Sequence, residues 1–156
     1  MVIDRLFALK LISILGCVLI AGVFFAFSNF VMNALARLQP AQGIAAMQAI
    51  NITVINPLFM TAFLGTGITC LFVVISSLLK WQKISITYSL LGSSLYLIGT
   101  IGVTLIFNVP LNEALAKIDP DSVDGIKFWT SYLTDWTFWN HIRTGAAVAA
   151  AVSMAS

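Results

Sequence analysis

The sequence predicts an all-α membrane protein, a bundle of four transmembrane helices, on three observations. Sixty per cent of its 156 residues are hydrophobic and only 9% are charged. No charge occurs in residues 11–36, 38–79 or 84–112, and each run exceeds the roughly 20 residues that cross a bilayer. A last uncharged run, 144–156, is too short to span unless its helix begins upstream, near Trp136. Such a chain has room for one compact domain over residues 1–156 and for no separate soluble one. The partner it requires is a lipid bilayer, and a formal charge of +2 gives no ground for a nucleic-acid partner.

The first span is expected at residues 11–32. Ile14-Leu15-Gly16-Cys17 has the look of a lipoprotein cleavage box, but residues 18–32 stay apolar, well past a signal core of about 7–15 residues. Residues 40–51 read as a short helix with Pro40 at its start and Ile44, Met47 and Ile50 on one side, a lid for the rim of the bundle. Spans at 57–79 and 84–107 follow, joined by the tight connection Lys80-Trp-Gln-Lys83. Residues 112–135 are expected to form a second long, acidic loop, in which Asp119-Pro-Asp-Ser reads as a turn and then a helix start. The fourth span is expected at 136–156. Thr61, Gly65 and Thr69 on the second span, and Gly145, Ala149 and Ser153 on the fourth, recur every four residues and should let backbones approach closely. Cys17 and Cys70 read as buried free thiols, and no metal-ligand spacing is present.

Counting Lys and Arg gives Arg5, Lys10, Lys80 and Lys83 on one side against Arg37, Lys117 and Lys127 on the other. This favours both termini in the cytoplasm, in a bacterial inner membrane. The halves also resemble each other. Ala34-Leu-Ala-Arg-Leu-Gln-Pro40 and Ala114-Leu-Ala-Lys-Ile-Asp-Pro120 match, and upstream lie the pairs Asn29, Asn33 and Asn108, Asn112. A duplicated helix–loop–helix unit would gather these four residues, with Asn56 and Asn140, around one mouth at the long-loop end.

That mouth is where chemistry is expected. On a helix starting near Trp136, the side chains of Trp136, Asn140 and Arg143 share one face with Trp139, while His141 points away. Thirteen residues follow Arg143 and cover about 20 Å of a hydrocarbon core about 30 Å thick, so a spanning helix draws the cation below the surface. A cation at that depth needs a partner, and Glu113 and Asp135, each beside a helix mouth, are the expected ones. Tyr96, Thr100, Thr104 and Asn108 form a polar line descending from the mouth, facing aromatic walls from Phe24, Phe25, Phe27, Trp136 and Trp139.

Phe25-Ala-Phe-Ser28, Gly43-Ile-Ala-Ala-Met-Gln-Ala-Ile-Asn51, Asn56-Pro-x-Phe59, Asn108-Val-Pro-Leu-Asn112 and Trp139-Asn-His-Ile-Arg143 resemble the small membrane proteins of the anthrone oxygenase family. Asn33 departs from the proline expected there. The resemblance covers nearly the whole chain and implies oxidation of a polyketide anthrone to an anthraquinone without flavin, haem or metal. A cofactor-free oxygenase needs a flat apolar slot, a base for the benzylic proton and donors for the resulting oxyanion. Asn108, Asn112, Asn140 and Arg143 are the expected donors, and Glu113, Asp135 or His141 the expected base. A single His excludes a His-rich metal centre or bis-His haem, and no glycine-rich phosphate loop occurs. The other reading stays open: Asn and Arg at helix mouths also serve as interhelical bonds and caps. The protein is then a structural or accessory component of a membrane complex or a homo-oligomer, or it binds a quinone-like lipid without turnover.

Overall fold

The computed structural model describes residues 5–79 and 84–156, and every regular element among them is helical. In order these are α1 (Arg5–Ala26), a π-helical stretch (Phe27–Val31), α2 (Met32–Leu35), α3 (Pro40–Thr53), α4 (Pro57–Leu79) and α5 (Ile84–Ser94). Two further π stretches (Leu95–Gly102 and Thr104–Asn108), α6 (Val109–Ala116) and α7 (Val123–Ala155) complete the chain. The connection at 80–83, with the Lys80 and Lys83 of the charge count, lies outside the described residues.

Three helical stretches are long and apolar enough to cross a membrane: Leu6–Leu35, Pro57–Leu79 and Thr87–Ala116. Their outward faces carry large apolar side chains left uncovered, such as Leu58 at 82% and Ile98 at 72% exposure, while Ser13, Thr66, Ser93, Thr100, Asn108, Asn140 and Arg143 are buried. Apolar outside and polar inside is the distribution of a membrane protein, since lipid and not water meets the outer wall. The helix ends are capped in sequence-legible ways. Asn56 precedes Pro57 and its Oδ1 accepts from the Phe59 N–H at 3.0 Å. Ser122 is the cap of α7 and its Oγ accepts from the Gly125 N–H at 3.0 Å.

Residues 112–135 are not a long loop. α6 continues to Ala116, a turn bonded from the Ser122 Oγ to the Asp119 carbonyl follows, and α7 then runs unbroken for 33 residues, about 50 Å. α7 packs on α1 and α5, and α4 packs on the opposite flank of both. The amino-terminal part of α7 is held by α3 and α6, burying Ile44, Met47, Leu115, Trp129 and Tyr132 in a second cluster. The expected lid is thus a fixed roof, tied down where Gln48 Nε2 donates to the carbonyls of Leu115 and Ile118 at 2.9 and 3.0 Å.

Of the expected stripes Thr69 does meet a neighbouring helix, its Oγ1 accepting from Ser13 Oγ of α1 at 2.9 Å, but the glycines of those stripes do not. Nothing lies within 4 Å of where a methyl on Gly65 or Gly145 would stand. The buried stripe on α4 is instead Phe63, Thr66, Gly67 and Cys70, and on α7 it is Ala147, Ala150, Ala151 and Met154. α1 approaches α4 at Gly16, whose added methyl would collide with the Thr66 side chain, and α5 approaches α7 at Gly92, where it would stand 2.6 Å from the Ala150 carbonyl oxygen. A four-residue recurrence of small side chains marks at least two helix faces here, and only the neighbouring helix selects one.

Candidate functional site: a buried arginine in an aromatic cavity

Arg143 projects from α7 into the space between α1 and the upper part of the third span, and it is 4% exposed. Its Nη2 donates to Asn140 Oδ1 at 2.6 Å and its Nη1 to Thr104 Oγ1 at 3.3 Å. The Thr104 hydroxyl proton is engaged by the Thr100 carbonyl at 2.7 Å, so the oxygen offers Arg143 a lone pair. Asn140 in turn donates through Nδ2 to the Phe24 carbonyl and to Ser28 Oγ, both at 2.7 Å, which locks its amide with the oxygen toward the guanidinium. The guanidinium carbon sits 4.1 Å from the Phe24 ring centroid and 5.1 Å from that of Trp136. Ring faces supply diffuse negative potential to a cation, but less than a carboxylate does. Neither Glu113 nor Asp135 approaches Arg143; both are exposed, and the arginine's hydrogen bonds are to neutral groups. Its Nε is buried without a hydrogen-bond partner.

Above Arg143 a second network sets the aromatic wall. Asn112 Oδ1 accepts from Tyr132 Oη and from Trp136 Nε1, each at 2.8 Å, and Asn51 Nδ2 donates to Tyr132 Oη at 3.5 Å. Burial pushes the Tyr132 phenol above its ordinary range, which keeps it a neutral donor. Asn108 Nδ2 donates to the Trp136 carbonyl at 3.2 Å, and its own Oδ1 is buried without a partner. Tyr132 and Trp136 stack with centroids 6.4 Å apart, and Phe27 leans on Trp136 at 5.7 Å.

Between these networks lies a cavity of about 260 Å³. Phe24, Phe27, Phe59, Phe63 and Trp136 line it with aromatic surface, Met47, Ile50 and Val54 roof it, and Asn51, Thr104, Asn112 and Arg143 are its polar groups. Phe27 and Thr104 come from π stretches, whose i→i+5 bonds, such as Val109 N–H to the Thr104 carbonyl, re-aim side chains relative to an α-helix. Chemically the site is a mostly apolar, aromatic-lined cavity with a buried cation and three uncharged polar side chains in its wall.

Of the residues expected at the mouth, the fold brings together Asn108, Asn112, Trp136, Asn140, Arg143 and Thr104. Tyr96 lies beneath them and its hydroxyl donates to the Phe63 carbonyl at 3.0 Å. Trp139 faces away, stacked on Phe107 with centroids 3.5 Å apart. Phe25 is exposed. Asn29 and Asn33 are exposed and bonded to each other, Asn33 Nδ2 donating to the Asn29 carbonyl at 2.7 Å. Asn56 is the α4 cap, and the exposed His141 borders a separate shallow groove beside Asn33. Asn51, Phe59, Phe63 and Tyr132 had no role in the sequence reading beyond Asn51 and Phe59 lying inside quoted motifs. Tyr132, four residues before Trp136, becomes visible only once α7 is known to begin at Val123. Among the described residues no three His, Cys, Asp or Glu side chains gather as metal ligands.

Fold and site together define a class: an all-helical membrane protein with an aromatic cavity bordered by a buried arginine that has no carboxylate partner among the described residues. Residues 57–153 match the family model described as anthrone oxygenase, and the chain belongs to that family. The matched segment contains Asn108, Asn112, Trp136, Asn140 and Arg143; Phe24, Ser28 and Asn51 precede it. No curated protein and no solved structure matches the chain.

Proposed function

We propose that the cavity binds a flat hydrophobic molecule of the anthrone or quinone class and that the protein oxidises it, with Arg143 holding the oxygen on which negative charge collects. The observation that carries this is the buried Arg143, bonded only to neutral groups and bordering an aromatic cavity. A buried cation balanced only by neutral acceptors is costly, and an anionic or strongly polar oxygen is what completes it. An anthrone carries an acidic methylene across the ring from its carbonyl. Loss of a methylene proton moves charge onto the carbonyl oxygen, where Arg143 and the Asn112 amide favour the ionised form. Dioxygen is the oxidant: one oxygen atom becomes the new carbonyl, and the other leaves as water with the two methylene hydrogens. None of Glu113, Asp135 or His141 borders the cavity, so the protein's contribution lies at the oxyanion and in alignment.

The same reading makes the carboxy-terminal part of α7 a fourth span, completing a four-helix transmembrane bundle. Asn140, His141 and Arg143 lower its hydropathy, which a helix packed between α1 and α5 tolerates better than one facing lipid. The duplicated unit rests on the sequence match alone: the π stretches Phe27–Val31 and Thr104–Asn108 overlap when Asn29 is set against Asn108 but are shifted by two residues, and Asn108 is buried where Asn29 is exposed.

A structural or accessory role is favoured by one group of contacts, the Asn140 and Asn108 bonds that clamp α7 to the first and third spans. Titrating the purified protein in nanodiscs with a dihydroxyanthraquinone, and assaying anthrone-dependent oxygen uptake, separates the two. Saturable binding lost in Arg143→Met with the helical fold retained supports the site. A wild-type protein that binds nothing, with an Arg143→Met variant that unfolds, leaves the arginine as a structural clamp.

A further inference from the structure

The cavity wall is not closed on all sides. α4 packs closely on α5 and on Leu95–Gly102, but Thr104–Asn108 and α6 are not among its close neighbours, so the second and third spans part company toward the roof. Below the gap Tyr96 and Phe63 join the two spans by a hydrogen bond and a ring contact at 6.4 Å, giving the cleft a floor. Above it α3 closes against α6 through Gln48. Three side chains that line the cavity are at the same time on the outer wall: Ile55 at 72%, Leu64 at 45% and Leu105 at 60% exposure. Leu64 and Leu105 both lie inside candidate spans, Pro57–Leu79 and Thr87–Ala116, so this flank belongs to the apolar outer wall.

We propose that the cavity is reached sideways from the bilayer, through a portal between Leu64 and Leu105, and that its occupant is a flat aromatic lipophile already dissolved in the membrane. The rim is aliphatic, which admits a molecule without headgroup or charge. The polar groups of the lining, Asn51, Thr104, Asn112 and Arg143, are half-buried or buried, unlike the rim. This inference rests on the binding reading above and adds the route. Leu105, on the outer wall and the cavity lining at once, then governs the rate of entry and exit.

The test uses the full chain in proteoliposomes, with a dihydroxyanthraquinone as the probe and its own fluorescence followed by stopped flow. Leu105→Trp, at an exposed position that accepts a larger ring, should slow both association and dissociation by about tenfold, whereas a purely local effect on the bound molecule would move only one of the two. Gln48→Leu, which releases the roof, should leave the rate unchanged. Arg143→Gln should weaken binding without slowing access. An unchanged rate in Leu105→Trp, or faster association in Gln48→Leu, overturns the portal while Arg143-dependent binding keeps the site reading intact. Absence of any binding to the wild type removes both.

Discussion

Arg143 illustrates how a residue's surroundings separate function from stability. Replacing it with Met leaves Asn140 Oδ1 without its donor, a loss of about 1–3 kcal/mol, but also removes a cation whose burial costs several kcal/mol with no counter-charge. The second effect is the larger, so thermal stability of Arg143→Met should equal or exceed wild type while ligand affinity falls. Arg143→Lys should also lose affinity, because an ammonium cannot reach Asn140 and Thr104 and still present a third donor in the fixed plane of a guanidinium. Asn112 behaves in the opposite way. Its Oδ1 serves both Tyr132 and Trp136, so Asn112→Leu orphans two buried donors at about 1–3 kcal/mol each and should lower the melting temperature in detergent. Asp121, an exposed turn residue, should change stability by less than about 0.5 kcal/mol when replaced by Ala.

At the scale of elements, the helices dock through faces chosen by contact and not by composition. Gly16→Val should disrupt the bundle, since the new side chain collides with Thr66 across the α1–α4 seam. Gly65→Val, two turns from the mouth on the same α4 helix, meets open space and should be tolerated. Comparable melting of both variants would show that the packing faces are assigned wrongly. The three π stretches belong to this scale too: Phe27 and Thr104 reach the cavity from two of them, at a level where the first and third spans would otherwise present a regular α-helical face.

For the whole molecule, the roof of α3, α6 and the start of α7 stands at one end of the apolar slab, and the α4 carboxy terminus at the other. Cysteines placed at Leu79 and Asp121 should therefore react with a membrane-impermeant maleimide from opposite faces of sealed vesicles. Labelling of both from the same face would rule out the four-span arrangement. Cys17 and Cys70 are buried and should stay silent in this assay.

Of the four spans expected from the hydropathy runs, three coincide with stretches apolar enough to cross a membrane, because a bilayer about 30 Å thick leaves a one-dimensional signal about 20 residues long. Pro57–Leu79 has the expected limits, and Leu6–Leu35 and Thr87–Ala116 have longer or shifted ones. The α4 limits, its Asn56-Pro57 start, the turn at Asp119 and the Ser122 cap were likewise readable, since caps and turns are local chemistry. Arg143 and Asn140 stood out for the same reason, a charge and an amide where lipid would otherwise be met. Partners were not readable. Glu113 and Asp135 are close to the helix mouths in sequence but lie on exposed surface, and Thr104, remote along the chain, supplies the lone pair instead. Nor could periodicity tell that Asn108 and Asn112 face inward while Asn29 and Asn33 face out, because both pairs have the same spacing. Which face is covered depends on where the next helix lies, and the rotation of each helix about its axis is a tertiary property, decided by packing across the seams.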